Sequence, residues 1–149
     1  MSLQANIMDV MKTAMKAKDT VALEALRAIK SEILLAQTSG SGDGTLSEED
    51  EVKLLQKLVK QRKDSAAIFT EQGRNDLADP ELAQIKVIEQ FLPTQLTEDE
   101  VEVIVKNIIT EGGFTGIAAM GQVMGLASKA LAGQADGKTV STIVKKLLA

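Results

Sequence analysis

The residues of this sequence best suited to binding chemistry are four lysines near its end: Lys129, Lys138, Lys145 and Lys146. Residues 112–149 contain these lysines and a single acidic residue, Asp136, for a net charge of +3. Residues 93–111 have the opposite balance, with five acidic residues, one lysine and a net charge of −4. Because the whole chain is acidic, with a formal net charge of −4, this local reversal predicts an anionic partner for residues 112–149.

Side chains that commonly carry out catalysis are scarce. The chain contains no His and no Cys, which excludes imidazole bases, thiol nucleophiles and the usual zinc ligands. No Ser or Asp in the sequence has a recognisable partner that would make it a nucleophile or a base. The acidic run at residues 48–51 follows Ser47, where a helix dipole favours negative charge, so we interpret it as a helix start. We predict no catalytic residue, no metal site and no cofactor.

Small residues close to the lysines suggest a second kind of contact. Gly121 and Gly125 share one face of a predicted helix with Ser128 and Ala132, and that face has almost no side chains. Such a face most often packs against another helix, and we expect this here. The alternative is that a ligand backbone, such as RNA phosphate and ribose, approaches the face. Gly133 fits a left-handed helix end. We include all three glycines with the lysines as candidate nucleic-acid-binding residues.

The rest of the chain must position these residues, and its pattern is helical. Only three residues are aromatic, and Ala, Leu, Lys, Glu and Gln are abundant, which favours helix over strand. Apolar residues recur at three- and four-residue spacing in seven segments. Residues 47–72 form the longest of these, and a Gly/Ser loop at residues 38–45 precedes it. The predicted helix starts or N-caps are Ser2, Asp19, Ser47, Asp79, Thr97, Ile117 and Asp136.

Pro93 divides the chain into two predicted domains, because it interrupts the helical pattern after Leu92. Residues 1–92 are expected to form an N-terminal helical domain of about four helices with a long third helix. Residues 93–149 are expected to form a C-terminal three-helix domain. The predicted fold class is therefore all-α.

The sequence favours a cytoplasmic location. The N-terminus has charged residues within an amphipathic pattern and no apolar signal-peptide core. No segment approaches the ~18 consecutive apolar residues that a membrane span needs. The absence of cysteine fits a reducing compartment. We therefore expect a cytoplasmic protein that does not associate with a membrane.

Along its whole length the sequence resembles the YqeY-like proteins. The matching segments are KQRKDS at 60–65, GRNDLA at 73–78, FLPTQL at 91–96, MGQVMG at 120–125 and GQADGKTVSTIVKKLL at 133–148. One departure is Gln84, at a position where the family pattern leads us to expect an acidic residue. That departure bears on a local ion pair and leaves the resemblance intact.

The resemblance implies that the second domain is similar to the C-terminal tail of the B-type subunit of the glutamine-dependent tRNA amidotransferases. The runs at 121–124 and 133–136 fit the pattern of that tail, which helps to hold the tRNA whose misacylated Glu or Asp is converted to Gln or Asn. Gly125 stands where a basic residue often follows, which leaves Lys129 as the nearest positive charge. The implied partners are tRNA, including aminoacyl-tRNA, and an amidotransferase or an aminoacyl-tRNA synthetase.

Three functions follow from these observations. We favour a tRNA-binding accessory module, on the basis of the tail-like pattern and the basic end of the chain. The second is participation in glutamine-dependent transamidation, a carbon–nitrogen ligase activity with glutamine as amido donor. The tail is not the part of the amidotransferase that activates the carboxylate or transfers ammonia, so this chemistry does not follow from the resemblance. The third is a helical protein-interaction module that docks through the third helix or the small-residue face of the sixth.

Overall fold

The computed structural model describes residues 2–40 and 43–149, and within these ranges it contains helices and no strand. The all-α prediction is confirmed. A 3-10 turn at Ile117–Ala119 leads directly into the sixth helix. No helix in the described ranges is long and apolar enough to cross a membrane. The helices are α1 Leu3–Ala17, α2 Thr20–Ser39, α3 Glu48–Glu71, α4 Asn75–Glu89, α5 Glu98–Gly112, α6 Met120–Ala130 and α7 Gly137–Leu148.

Five of the predicted helix starts have the expected cap, in which a side-chain oxygen accepts a backbone N–H three residues later. At the start of α3 the cap is reciprocal: Asp50 N–H donates to Ser47 Oγ, and Ser47 N–H and Oγ–H donate to Asp50 Oδ2. The hydrogen bond from the Ser47 hydroxyl holds the pKa of Asp50 below its usual value. This explains the acidic run as a helix start. The five caps are Ser2, Asp19, Ser47, Thr97 and Asp136.

The predicted start of α4 at Asp79 is wrong. The helix begins at Asn75, and Pro80 lies inside it. Burial explains the earlier start, because Ala78 is only 1% exposed and must face the neighbouring helices. An ion pair between Arg74 and Asp76 also lies at the N-terminal end, with N–O distances of 3.0 and 2.9 Å. A proline so near a helix start removes one backbone hydrogen bond, which this packing offsets.

Two further expectations are corrected near α2. The helix continues to Ser39, into the loop predicted at residues 38–45, and residues 41 and 42 of that loop lie outside the described ranges. Leu34 and Leu82, expected on the buried stripes of α2 and α4, are both exposed. Ile33 occupies the core position on α2, and the 100° turn between consecutive helical residues carries Leu34 away from it.

The chain divides into two compact units, residues 1–92 and 93–149. In the first unit α3 and α4 pack against each other, and α2 packs against both of them and against α1. The side chains most completely enclosed in this unit are aliphatic, and none of them is aromatic. They are Ile7, Leu26, Ile29, Leu55 and Ile88.

In the second unit α5, α6 and α7 pack against one another in pairs. Gly113, with φ of 64°, ends α5 in the left-handed conformation. The segment before α5 is tied to the corner between α6 and α7. Leu96 N–H donates to the Gln134 carbonyl at 2.9 Å, and Gln95 Nε2 donates to the Gly133 carbonyl at 2.6 Å. The enclosed core is Val101, Val105, Val123, Ala127, Leu131 and Val144.

Gln84 connects three helices of the first unit. It is 9% exposed, its Oε1 accepts from Arg62 Nε on α3 at 2.9 Å, and its Nε2 donates to Glu24 Oε2 on α2 at 3.0 Å. An amide both donates and accepts, so it can join a cation to an anion without burying a net charge. An acidic residue here would accept from Arg62 but would oppose the Glu24 carboxylate. This geometry explains why a glutamine fits a position where we expected an acid.

We predict that Gln84→Ala lowers the free energy of unfolding of the first unit by about 1–3 kcal/mol, because it leaves Arg62 Nε without its partner in a part-buried site. The measurement is urea unfolding followed by far-ultraviolet circular dichroism. Gln61→Ala is the matched control, since Gln61 is exposed on α3, and it should stay within about 0.5 kcal/mol of the wild type. Equal effects of the two substitutions would contradict this role of Gln84.

Candidate nucleic-acid interface

All four candidate lysines have exposed side chains on two helices that pack against each other. Lys129 lies in the last turn of α6. Lys138 lies in the first turn of α7, and Lys145 and Lys146 lie in its last turn. The last two also complement the negative end of the α7 dipole. The structure therefore places all four on the α6–α7 part of the second unit.

One side of α7 is basic because its other side is used for packing. Val140, Ile143, Val144 and Leu148 are buried. Lys138 and Lys145 are seven residues apart, close to two full turns, so they share the opposite face about 10 Å from each other along the axis. The exposed Thr142 lies between them. Two ammonium groups at this spacing can contact different phosphates of one strand.

The small-residue face of α6 is open, so the expectation that it packs against a helix is wrong. Gly121 and Gly125 are exposed, and a Cβ built on either would find no packing partner within 4 Å in the part of the chain that the structure describes. The core residues of α6, Val123 and Ala127, point elsewhere around the helix. Lys129 follows Gly125 by four residues, so a positive charge lies next to an open stretch of backbone.

Gly133 has a different place from the other two glycines. It is buried, its φ is 76°, and its carbonyl oxygen accepts the hydrogen bond from Gln95. Three residues later, Asp136 caps α7 by accepting from Thr139 N–H at 2.7 Å. The structure thus places Gly133 inside the corner that orients α7, while Gly121 and Gly125 lie on the exposed surface.

The charges of the second unit are separated. The first turn of α5 carries Glu98, Asp99 and Glu100, whereas α6 and α7 carry the lysines. At the border, Lys146 Nζ lies 3.6 Å from Glu102 Oε2, and both side chains are well exposed, so the pair is weak. Sequence patterns could not indicate this contact, because the two residues lie far apart in the chain. It distinguishes Lys146 from its neighbour Lys145.

The structure shows no sign of a catalytic centre in its described ranges. No group of three or more acidic residues there could hold a metal ion. Perturbed carboxyl groups occur at exposed positions and have local causes. The backbone N–H of Thr45 lowers the pKa of Asp43, and the Arg74 side chain lowers the pKa of Asp76. Such shifts accompany turns and surface ion pairs, in contrast to the buried, charge-coupled groups of active sites.

Comparison with known proteins identifies relatives along the whole chain. The family model for the Yqey-like protein matches residues 4–148. Altered inheritance of mitochondria protein 41, mitochondrial, from Pyrenophora tritici-repentis is 31% identical over 98% of this chain and 78% of its own length. The protein of the same name from Lachancea thermotolerans is 34% identical over 72% of this chain and 58% of its own length.

A second group of relatives has names that refer to tRNA. The E-type member of the glutamyl-tRNA(Gln) amidotransferase subunits, from Thermococcus gammatolerans, is 32% identical over 66% of this chain, but only 16% of its own length is covered. The 102 aligned residues are more than residues 93–149 contain, so the similarity extends into the first unit. Because the family model spans residues 4–148, this chain belongs to the Yqey-like protein family, which is related to the tail of an amidotransferase subunit.

Proposed function

We propose that this protein is a tRNA-binding accessory protein, and that its second unit holds the tRNA through α6 and α7. The observation that carries the proposal is the basic face of α7, where Lys138 and Lys145 point away from the core. Lys129 and the open backbone at Gly121 and Gly125 add a second contact region on the helix packed against α7. Two relatives that are named as glutamyl-tRNA(Gln) amidotransferase subunits support tRNA as the ligand.

The chemistry of this surface suits recognition of the nucleic-acid backbone. Lysines contact phosphates without reading the bases. Stacking on bases requires aromatic side chains, and Phe114, which is the aromatic residue of the second unit, packs against its hydrophobic core. The glycines allow ribose and phosphate to approach the α6 backbone closely. We therefore propose that the protein recognises the shape and charge of folded tRNA.

The separation of charges gives the bound tRNA an orientation. Phosphates are attracted to the lysines of α6 and α7 and are repelled by the acidic first turn of α5. In this proposal an amidotransferase or an aminoacyl-tRNA synthetase acts on the tRNA while this protein holds it. Amide transfer is then the partner's chemistry, and we expect the two to meet in the cytoplasm.

We predict that changing Lys129, Lys138, Lys145 and Lys146 together to Ala weakens tRNA binding and flattens its salt dependence. Each lost phosphate contact should lower the log–log slope by about one unit or less, so the expected decrease is about two to three. The measurement is tRNA affinity by fluorescence anisotropy at several salt concentrations. Circular dichroism establishes that the variant is folded.

The matched control changes four exposed lysines of the first unit, Lys12, Lys16, Lys30 and Lys86, to Ala. It removes the same total charge and should keep the slope of the wild type. Identical salt curves for wild type and the α6–α7 variant would refute the proposal. Equal losses in both variants would show that only net charge matters.

We predict that Glu102→Gln strengthens tRNA binding about two- to threefold, because it releases Lys146 from its carboxylate neighbour. Glu111→Gln, an exposed change near the end of α5, removes the same charge without affecting an ion pair and should have a smaller effect. The gain should disappear when Lys146 is also changed to Ala. A gain that persists in the double variant would exclude this explanation.

We predict that Gly125→Leu weakens tRNA binding about tenfold or more, because the new side chain occupies the open face beside Lys129. The substitution should not destabilise the fold, since Leu has the higher helix propensity and meets nothing nearby. Ala67→Leu, at an exposed position within α3, is the control for adding the same side chain to a helix surface. Unchanged affinity for Gly125→Leu would remove α6 from the interface.

A further inference from the structure

The first unit has an uncovered seam between α1 and α2. These helices are joined by a short turn at Lys18 and Asp19, and α1 packs mainly against α2. At the open end of the pair, Gln37 Nε2 donates to Gln4 Oε1 across the seam at 3.5 Å. This bond identifies which flank of each helix borders the seam.

Helical spacing from these two glutamines defines the rest of that flank. On α1, residues four, seven and eleven positions after Gln4 share its side of the helix. On α2, residues three and fourteen positions before Gln37 do the same. All five residues at these positions are apolar, and we call them the seam strip: Met8, Met11, Met15, Leu23 and Leu34.

Much of the seam strip is in contact with solvent. Met8 is 48% exposed, Met15 is 55% exposed and Leu34 is 48% exposed. Met11 and Leu23 are partly buried and pack against the core beneath them. An apolar row with a firm base and an exposed upper surface is typical of a groove that receives another helix. Methionine suits this role because its flexible thioether adapts to the shape of a partner.

The residues that border the strip are basic. Lys12 follows Met8 by one turn, and Lys30 lies one turn before Leu34. Arg27 lies one turn after Leu23. All three side chains are exposed. The nearest acid on α2, Glu24, is engaged by Gln84. The strip therefore combines an apolar floor with cationic edges.

We propose that the seam strip is a docking site for an acidic amphipathic helix of a partner protein. The apolar face of that helix packs on the methionines and leucines, and its carboxylates lie against Lys12, Arg27 and Lys30. Charge complementarity selects an acidic helix over a basic one. The proposal concerns the first unit alone and does not depend on tRNA binding by the second.

The strip is less suited to nucleic acid. Its floor is aliphatic and thioether, whereas single-stranded bases stack on aromatic rings. The three phenylalanines of the chain lie at positions 69, 91 and 114, away from α1 and α2 in the sequence. A row of apolar side chains also gives phosphates no hydrogen-bond donors. The cationic edges alone would attract RNA, so binding of tRNA here is an outcome that the test must distinguish.

The test uses two synthetic helical peptides of about 18 residues with the same leucines at helical spacing. One carries Glu at its remaining positions and the other carries Lys. The full-length protein is labelled with carbon-13 at its methionine methyl groups and titrated with each peptide and with tRNA. Met8, Met11 and Met15 report on the strip, while Met120 and Met124 in the second unit are internal controls.

We expect the Glu peptide to shift the signals of Met8 and Met15 and to bind about tenfold or more tightly than the Lys peptide. Changing Met8 and Met15 together to Gln should weaken binding about tenfold or more. Leu82→Gln, which removes an exposed apolar side chain from α4, should leave binding unchanged. Lys12→Glu with Lys30→Glu should reverse the preference between the two peptides.

Three results would overturn the proposal. Absence of shifts at Met8 and Met15 with the Glu peptide would show that the strip does not receive an acidic helix. Equal binding of both peptides would show apolar adhesion without charge selection. Shifts at Met8 and Met15 that appear with tRNA but not with the Glu peptide would assign the strip to nucleic acid.

Discussion

Packing of α6 against α7 is the interaction on which the candidate interface depends. The core between them is made of small and branched aliphatic side chains, including Val123, Ala127 and Val144, all fully enclosed. Once these residues face inward, the 3.6-residue period leaves the glycines of α6 and the lysines of α7 facing outward. The same packing carries no aromatic anchor, so the unit depends on close fit between aliphatic surfaces. A shift of either helix would therefore alter the exposed faces together with the core.

Features that depend on a few neighbouring residues were predictable from the sequence. A capping side chain binds a backbone N–H three residues away, so Ser47 and Thr97 identify their helix starts without knowledge of the tertiary structure. The fold class followed from composition and apolar period. The start of α4 was missed because a local signal, Asp79 followed by Pro80, competed with burial of Ala78. Which of the two determines the helix start depends on what packs against the helix, and a single sequence does not contain that information directly.

Features that depend on distant residues were not predictable in this way. Gly121 and Gly125 have open space around them in the described part of the chain, although small residues at this spacing usually indicate close helix packing. Their exposure depends on the rotation of α6 in its unit, which is set by residues elsewhere in the chain. Gln84 was recognised as a departure from the family pattern, but its contacts with Glu24 and Arg62 came only from the structure. The candidate lysines were identifiable from charge alone because lysines are rarely buried.

The two units expose surfaces of different chemistry, and this difference argues for separate roles. The α6–α7 surface is basic and contains open backbone, with its acidic residues concentrated on α5. The seam strip is apolar and has only its edges charged. Phosphate contacts are strong in low salt and are screened as salt rises, whereas apolar contacts keep their strength when salt rises. A protein that held tRNA with one unit and a partner helix with the other would therefore lose the first contact before the second as ionic strength increased. The two contacts can be separated by that difference without changing any residue.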